Sequence, residues 1–536
     1  VNSWRFEPGD ALLFHGGDRF AGSLANASLA GSPASKVTIG SYGGKRAVID
    51  AGSGDGIHLN NPEFLTIERL IVKGAGWTGT KRSIDPHNGG CGIYLRNTRV
   101  TGLPLRKLTI AHCVVTGFYS GISLDSTIAQ STGFENVIVS ANVISDDLSI
   151  GFNLQGWNAY GGGPVDQNRG IYVGYNVVRN IPGDPKSGAG GIHGTFKTEA
   201  GGMQVANASG ATIERNYLAD IAGYGGVETG LVLGGSTAIV VTNSRGFRIT
   251  ANEVTRTNCI RFYDGSAIDV DQDSQDGEID GNLTYDNVGP SIQVGSFGGK
   301  TSGNIRIHHN ISVDDARGNN SGGESEQGAI RLWGNTDGLK IFNNTICVSA
   351  AGTKGYPSAL SIEQVPVQRG DHGANTNVEV VDNIFKTTGG VPVFRANRKT
   401  NPARLGISCV LGNLYDSSGS RLVIADDTGA APVTSLAWWH SLGFEALDEV
   451  DYGVAADAGL LDPKGFVPPP QGFTPAGKSI SAIKSFDLKP GSAAIGAGID
   501  PWLAKSCIAP GSLSFHGMPV PYRARMDVGA CPYAAR

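Results

Sequence analysis

The chain has 536 residues, a net charge of −5 and only 17% charged residues. That balance gives no reason to expect nucleic acid or an anionic membrane surface as partner, and no apolar run approaches the ~18 residues of a membrane span. Glycine, at 79 residues, is about twice its usual share of roughly 7%, which without a collagen period implies many tight turns between short strands.

In chain order, the first residues are VNSWRF, neither an initiating methionine nor a signal peptide. A leading segment is expected to have been removed, and with the low charge and the polymer-sized groove described below the expectation is a secreted or periplasmic protein. Residues 1–54 contain PGDALLF and KVTIGSYGGKRAVIDAG, short strands and turns read as an N-terminal cap and first coils.

From 55 to 416 the chain repeats. One strand recurs as small–apolar–x–apolar–x. Its copies are GIHLN (56–60), GIYLR (92–96), GISLD (121–125), GFNLQ (151–155), GMQVA (202–206), AIVVT (238–242), AIDVD (267–271), SIQVG (291–295), AIRLW (329–333) and ALSIE (359–363). A second strand follows each and ends in asparagine at Asn142, Asn176, Asn216, Asn252, Asn282, Asn310, Asn344, Asn383 and Asn413, at intervals of 28 to 40 residues. Two earlier copies carry Leu70 and Cys113 instead. A coil this small cannot bury its own apolar face, so coils must stack and share a core. An inward asparagine at a fixed bend would then bond its neighbours above and below. An irregular period fits poorly with a sandwich or propeller built of hairpins. The fold expected is all-β, a single-stranded right-handed parallel β-helix.

After about Ser417 the repeat fades. The stretch 434–443 reads as a short helix stopped by Gly443. Residues 417–536 are read as a loop-rich C-terminal cap packed on the β-helix. The seven cysteines are Cys91, Cys113, Cys259, Cys347, Cys409, Cys507 and Cys531. An odd count with irregular spacing argues against a disulfide scaffold, and no CxxC pair marks a metal cluster. Cys113, Cys347 and Cys409 read as buried thiols, and Cys507 with Cys531 as a candidate pair.

The opening WRFEPGDALLFHGGDRFAGSL, the central DGSAIDVDQDSQDGEIDGNLTYDN and the ending LKPGSAAIGAGID with FHGMPVPYRARMDVGA resemble secreted bacterial proteins of the pectate-lyase-like right-handed parallel β-helix superfamily. The resemblance implies the fold and a strand upstream of Val1. It does not choose a reaction, because that superfamily includes polysaccharide lyases, glycoside hydrolases, epimerases and phage depolymerases.

Alternation along the first strand sends one set of residues outward. That set runs from His58, Asn60, Tyr94 and Arg96 through Ser123, Asp125, Asn153 and Gln155 to Gln204, Asp269, Asp271, Gln293, Arg331, Trp333, Ser361 and Glu363. Amides, carboxylates, arginine and aromatics suit a groove for a chain of sugars. At its centre Asp269 and Asp271 share one strand face, with Cα atoms roughly 6.5–7 Å apart. Such a spacing suits an acid and a base flanking a glycosidic bond with a water between them. Asp264, beside Gly265, is a third candidate carboxylate or a turn former. Binding roles are expected for Gln204, Tyr263, Gln293, Arg331, Trp333, Glu326, Glu363, His193 and Lys197, several of them on loops that would wall the groove. The pair Asp146–Asp147 resembles the aspartates of polygalacturonases but follows the Asn142 strand rather than the polar ladder. Asp85, His87 and Cys91 lack metal-ligand spacing.

These residues describe a carbohydrate-active enzyme, a glycoside hydrolase with paired aspartates acting on a polysaccharide or oligosaccharide. Two alternatives stand beside it: a lyase eliminating across a uronate, and a non-catalytic carbohydrate-binding β-helix. A lyase needs a neutralising cation and a base, and Arg331, Lys197, His193 and Tyr263 are its candidates. No cofactor is required by this reading. Calcium between the two aspartates, or a merely solvated acidic face, is the alternative to catalysis there.

Overall fold

The computed structural model describes residues 1–26, 29–80, 83–86, 89–183, 201–222, 236–258, 264–318, 328–350, 357–363, 374–396, 406–417, 425–426, 435–499, 513–520 and 525–533. It is a parallel β-helix. Three long parallel sheets are each built from one strand per coil. Crossovers between parallel strands are right-handed by the twist of the strands themselves. By internal contacts the chain divides into two compact units, Val1–Arg248 with Thr257–Gly265, and Ile249–Arg256 with Ser266–Arg536.

In the first unit the ladder strands include Ile57–Asn60, Cys91–Arg96, Ser120–Ser126, Ile150–Gly156, Gly201–Ala206 and Thr237–Thr242. Each pairs with the next in parallel, and the register keeps the repeat aligned: His58, Tyr94, Ser123, Asn153, Gln204 and Val240 form one column. In the second unit Ser266–Asp271, Ile292–Val294, Gly328–Leu332, Ser358–Ile362 and Phe394–Ala396 continue the pattern, with Asp269, Gln293, Arg331, Ser361 and Arg395 in one column. The alternate residues, such as Ile268, Val270, Ile292, Val294, Ile330 and Leu332, are wholly buried. They form the core that no single coil could build alone.

In the order each coil visits them, the first sheet holds the ladder strands, the second holds strands such as Glu278–Asp280 and the third strands such as Leu283–Tyr285, and the asparagines stack at the bend between the second and third. In the first unit Asn142 donates its backbone N–H and its Nδ2 to Asn176 Oδ1, each at 3.0 Å, and Asn176 does the same to Asn216 at 2.9 and 3.0 Å. In the second unit the ladder runs Asn252, Asn282, Asn310, Asn344, Asn383, Asn413. The remaining Nδ2 hydrogen of most rungs goes to a carbonyl of the coil before, as from Asn310 to Ile279 at 2.9 Å. Each side chain thereby satisfies a bend whose backbone groups the sheets cannot reach.

The C-terminal segment lies along the flank of the second unit. Its Leu460, Ile480, Phe486, Leu488, Phe515 and Val528 pack on Leu283, Ile311, Ile384 and Leu414 of the third sheet. Buried carboxylates pin it: Glu253 accepts the backbone N–H groups of Phe473 and Thr474, and Asp382 accepts that of Ile499 at 3.0 Å. The expected short helix is present as Leu436–Ser441. Among the described residues no helix is long and apolar enough to cross a membrane. Cys113 is a buried free thiol as read, whereas Cys347 and Cys409 are only partly buried. Cys531 is free and buried, and Cys507 lies outside the described residues.

Candidate functional site

The strand Ser266–Asp271 sends Ile268 and Val270 inward and Asp269 and Asp271 to the other face. Across the next coils the side chains of the Asp269 column bond one another. Gln293 Nε2 donates to Asp269 Oδ2 at 3.3 Å, and Arg331 Nη1 donates to Gln293 Oε1 at 2.9 Å. Arg331 then forks on Glu363, with Nε on Oε1 at 2.9 Å and Nη2 on Oε2 at 2.8 Å. The chemistry of this relay has a direction. Arginine has only donors, so the Gln293 carbonyl must face it. The Gln293 amino group is thereby turned toward Asp269, whose oxygen accepts.

Asp271 ends its strand at a turn. Its Oδ1 accepts the Gln272 N–H at 3.1 Å, and its carbonyl accepts the Ser274 hydroxyl at 2.7 Å. It is partly exposed, whereas Asp269 is only 6% exposed. The face expected to be open to solvent is largely buried: Gln293, Arg331 and Ser361 are covered as well. The reason is the stack itself. Long polar side chains at a strand spacing of ~4.8 Å lie against their neighbours and satisfy them.

Trp333 occupies the column beside Arg331. Its indole lies on Gly295, where an added Cβ would come 2.1 Å from Trp333 Cε2. Phe297 stands 6.1 Å from it, tilted by 35°. The ring is partly exposed, and its Nε1 has no hydrogen-bond partner among the described residues.

The first unit holds a second polar cluster on its own ladder, built around His58, Tyr94, Arg96 and Asp125, which the outward pattern contained without marking them. Tyr94 donates its hydroxyl to Asp125 Oδ2 at 2.5 Å, and Arg96 Nε stands 3.6 Å from the same oxygen. Burial and the Asp125 carboxylate push the Tyr94 hydroxyl well above the usual phenol range. His58 meets the Tyr94 ring edge-on at 4.8 Å, and its Nδ1 pairs with Asp55 Oδ2 at 2.8 Å. Asp55 Oδ1 also holds the Cys91 N–H at 2.7 Å. The signal for His58, Tyr94 and Asp125 was their shared face. Asp55 lies in a turn three residues before His58, where strand alternation says nothing.

The other expected residues fall as follows. Gln204 is buried in register between Asn153 and Val240. Asp264 is partly exposed directly before Gly265, whose φ of 86° makes the turn. Glu363 is engaged by Arg331. His193, Lys197, Tyr263 and Glu326 lie outside the described residues. Asp147 stays off the ladder, accepting the Phe118 N–H at 2.8 Å, and burial raises its carboxyl well above the ordinary value.

No family model matches the sequence, and no curated protein matches it either. Solved structures do match. The GH136 lacto-N-biosidase of Eubacterium ramulus is 16% identical with a TM-score of 0.47, over 63% of this chain and 59% of that one. A family PL6 alginate lyase is 14% identical with a TM-score of 0.43, over 84% of this chain and 55% of that one. The mannuronan C-5 epimerase A-module of Azotobacter vinelandii is 13% identical with a TM-score of 0.40, over 78% of this chain and 86% of that one. The chain thus spans about three fifths of the length of the lacto-N-biosidase it matches.

Proposed function

We propose that this protein is a carbohydrate-active enzyme that cleaves a polysaccharide or oligosaccharide along the ladder face, as a glycoside hydrolase in which Asp269 and Asp271 divide the acid and base roles. The observation that carries this reading is the relay from Glu363 through Arg331 and Gln293 to Asp269, beside a second, partly exposed carboxylate on the same strand. A relay of this kind holds a reacting group in one orientation without help from solvent. Asp271, nearer to solvent, is placed to meet water or a leaving group. Trp333 and Phe297 supply the apolar surface on which a sugar ring packs.

A lyase acting on a uronate is the second reading. It would want a free guanidinium or ammonium at the centre of the ladder to meet the substrate carboxylate. Arg331 is instead forked on Glu363, which favours hydrolysis. The proposed substrate is a polysaccharide or oligosaccharide, and with it a secreted or periplasmic location.

The test is a panel of polysaccharides and oligosaccharides incubated with the full chain. New reducing ends without the ultraviolet absorbance of an unsaturated uronate support hydrolysis. Both signals together make it a lyase. Neither signal, with retention on an immobilised polysaccharide, makes it a binding protein.

A further inference from the structure

The C-terminal segment brings together three side chains that no sequence spacing connects. We propose that Asp487, His516 and Cys531 form a binding site for a divalent transition metal of the zinc type, which ties the segment's turns together. Their ligand atoms all lie within 4.8 Å of one another.

The argument starts from His516. Its Nδ1 stands 2.6 Å from the carbonyl oxygen of Ser481. A carbonyl only accepts, so Nδ1 carries the hydrogen. In the neutral ring Nε2 then presents a lone pair, and it points at Asp487 Oδ1 from 2.5 Å. Two acceptors at that separation require a cation or a proton between them. A histidine whose far nitrogen is anchored to a backbone carbonyl is the usual arrangement of a metal ligand. The third member, Cys531, adds a thiol to the set. Cys531 is 1% exposed, while His516 and Asp487 keep 12% and 19% of their side-chain surface. A mixed sulfur, nitrogen and carboxylate set suits zinc, with a water completing four ligands on the open side.

Charge also balances. A carboxylate and a thiolate neutralise a divalent ion, and the thiol proton leaves to solvent on binding. Lys484 Nζ lies 3.5 Å from Asp487 Oδ2, so it holds the carboxylate's other oxygen. Zinc bonds of about 2.0–2.3 Å put tetrahedral ligands about 3.3–3.8 Å apart. The His516–Asp487 contact must therefore open by roughly an ångström as the metal enters.

The experiment uses the full chain, stripped with a chelator and then given zinc or cobalt(II). The site predicts a rise in melting temperature with zinc. It also predicts a cobalt(II) spectrum with a thiolate-to-metal charge-transfer band and the strong visible bands of a tetrahedral ion. Cys531→Ser should remove the charge-transfer band, and His516→Gln and Asp487→Asn should remove the zinc-dependent rise. Should Cys531→Ser fail to fold, the wild-type cobalt spectrum still decides. A wild-type chain with no zinc-dependent rise and no thiolate band overturns the proposal, leaving a proton-bridged His516–Asp487 pair. Equal metal binding by the wild type and all three variants overturns it as well.

Discussion

Glu445 Oε1 accepts twice from Asn413, from the backbone N–H at 3.2 Å and from Nδ2 at 2.8 Å. Glu445 thus stands where the next asparagine of the ladder would stand, and it ends the stack. The Tyr415 hydroxyl bonds the same oxygen at 2.6 Å. The second oxygen has no partner among the described residues, so a full negative charge there sits in a buried place with one face unsolvated.

That arrangement predicts a pH dependence. Burial pushes the Glu445 carboxyl from 4.5 up to about 7. The folded chain keeps this proton between those values and the unfolded chain loses it. Stability from this group is therefore fully present below the unfolded value. It falls by about 1.4 kcal/mol per pH unit across the window, then levels off above the folded value. Asp315, pushed up by burial to about 6, adds the same sign in a lower window. Glu445→Gln mimics the protonated acid and keeps the acceptor. Relative to wild type it should gain stability as pH rises from 5 to 7, measured by chemical denaturation across pH. A constant difference between the two proteins would contradict the assignment.

The ladder itself predicts a graded pair of variants. Asn282 accepts from Asn252 and donates to Asn310 Oδ1 and the Ile249 carbonyl. Asn282→Ala leaves those groups buried and unbonded and should cost about 1–3 kcal/mol or more. Asn282→Asp removes the amino group and places a carboxylate against Asn310 Oδ1. It should be worse than alanine at neutral pH and recover as the solution is acidified. Urea denaturation at two pH values checks the order.

What the sequence made legible was whatever repeats. The asparagine bend and the apolar alternation recur in nearly every coil, so both are readable from residue order alone. Partnership across coils is not. Nothing in AIRLW says that Arg331 turns to Glu363 rather than to solvent, because that depends on rotamers reaching over ~4.8 Å to the next strand. The stack also uses glutamate instead of asparagine at Glu445, which breaks the pattern at the point where it ends. The docking of the C-terminal segment rests on bonds such as Glu253 to the Phe473 N–H, across 220 residues. Asp487, His516 and Cys531 are likewise assembled by that docking and by no local motif.

Arg331→Lys tests the relay. Lysine keeps the charge but cannot fork on Glu363 and hold Gln293 together. The Gln293 amide is then free to turn its carbonyl toward Asp269. If Asp269 works through this orientation, turnover should fall about tenfold or more. A positioning role predicts that the fall lies in kcat rather than KM. An unchanged kcat with a raised KM would make Arg331 a substrate contact instead.

The central carboxylates carry the sharpest test. Asp269→Asn and Asp271→Asn keep size, and in Asp269→Asn the amide oxygen can still accept from Gln293. Each removes an acid or a base. If the two share the chemistry of glycoside hydrolysis, each variant should lower turnover by roughly a hundredfold or more with folding intact. If they hold calcium instead, each variant should be rescued by raising calcium, and a chelator should reproduce the loss in the wild type. Circular dichroism and the denaturation midpoint separate either outcome from misfolding. Should both variants keep full activity with and without chelator, the acid and base are not on the strand Ser266–Asp271. The Tyr94, Asp125 and His58 cluster then becomes the next place to substitute. There Asp125→Asn would strip the Tyr94 hydroxyl of its charged partner, and turnover would report directly whether that ladder carries the reaction.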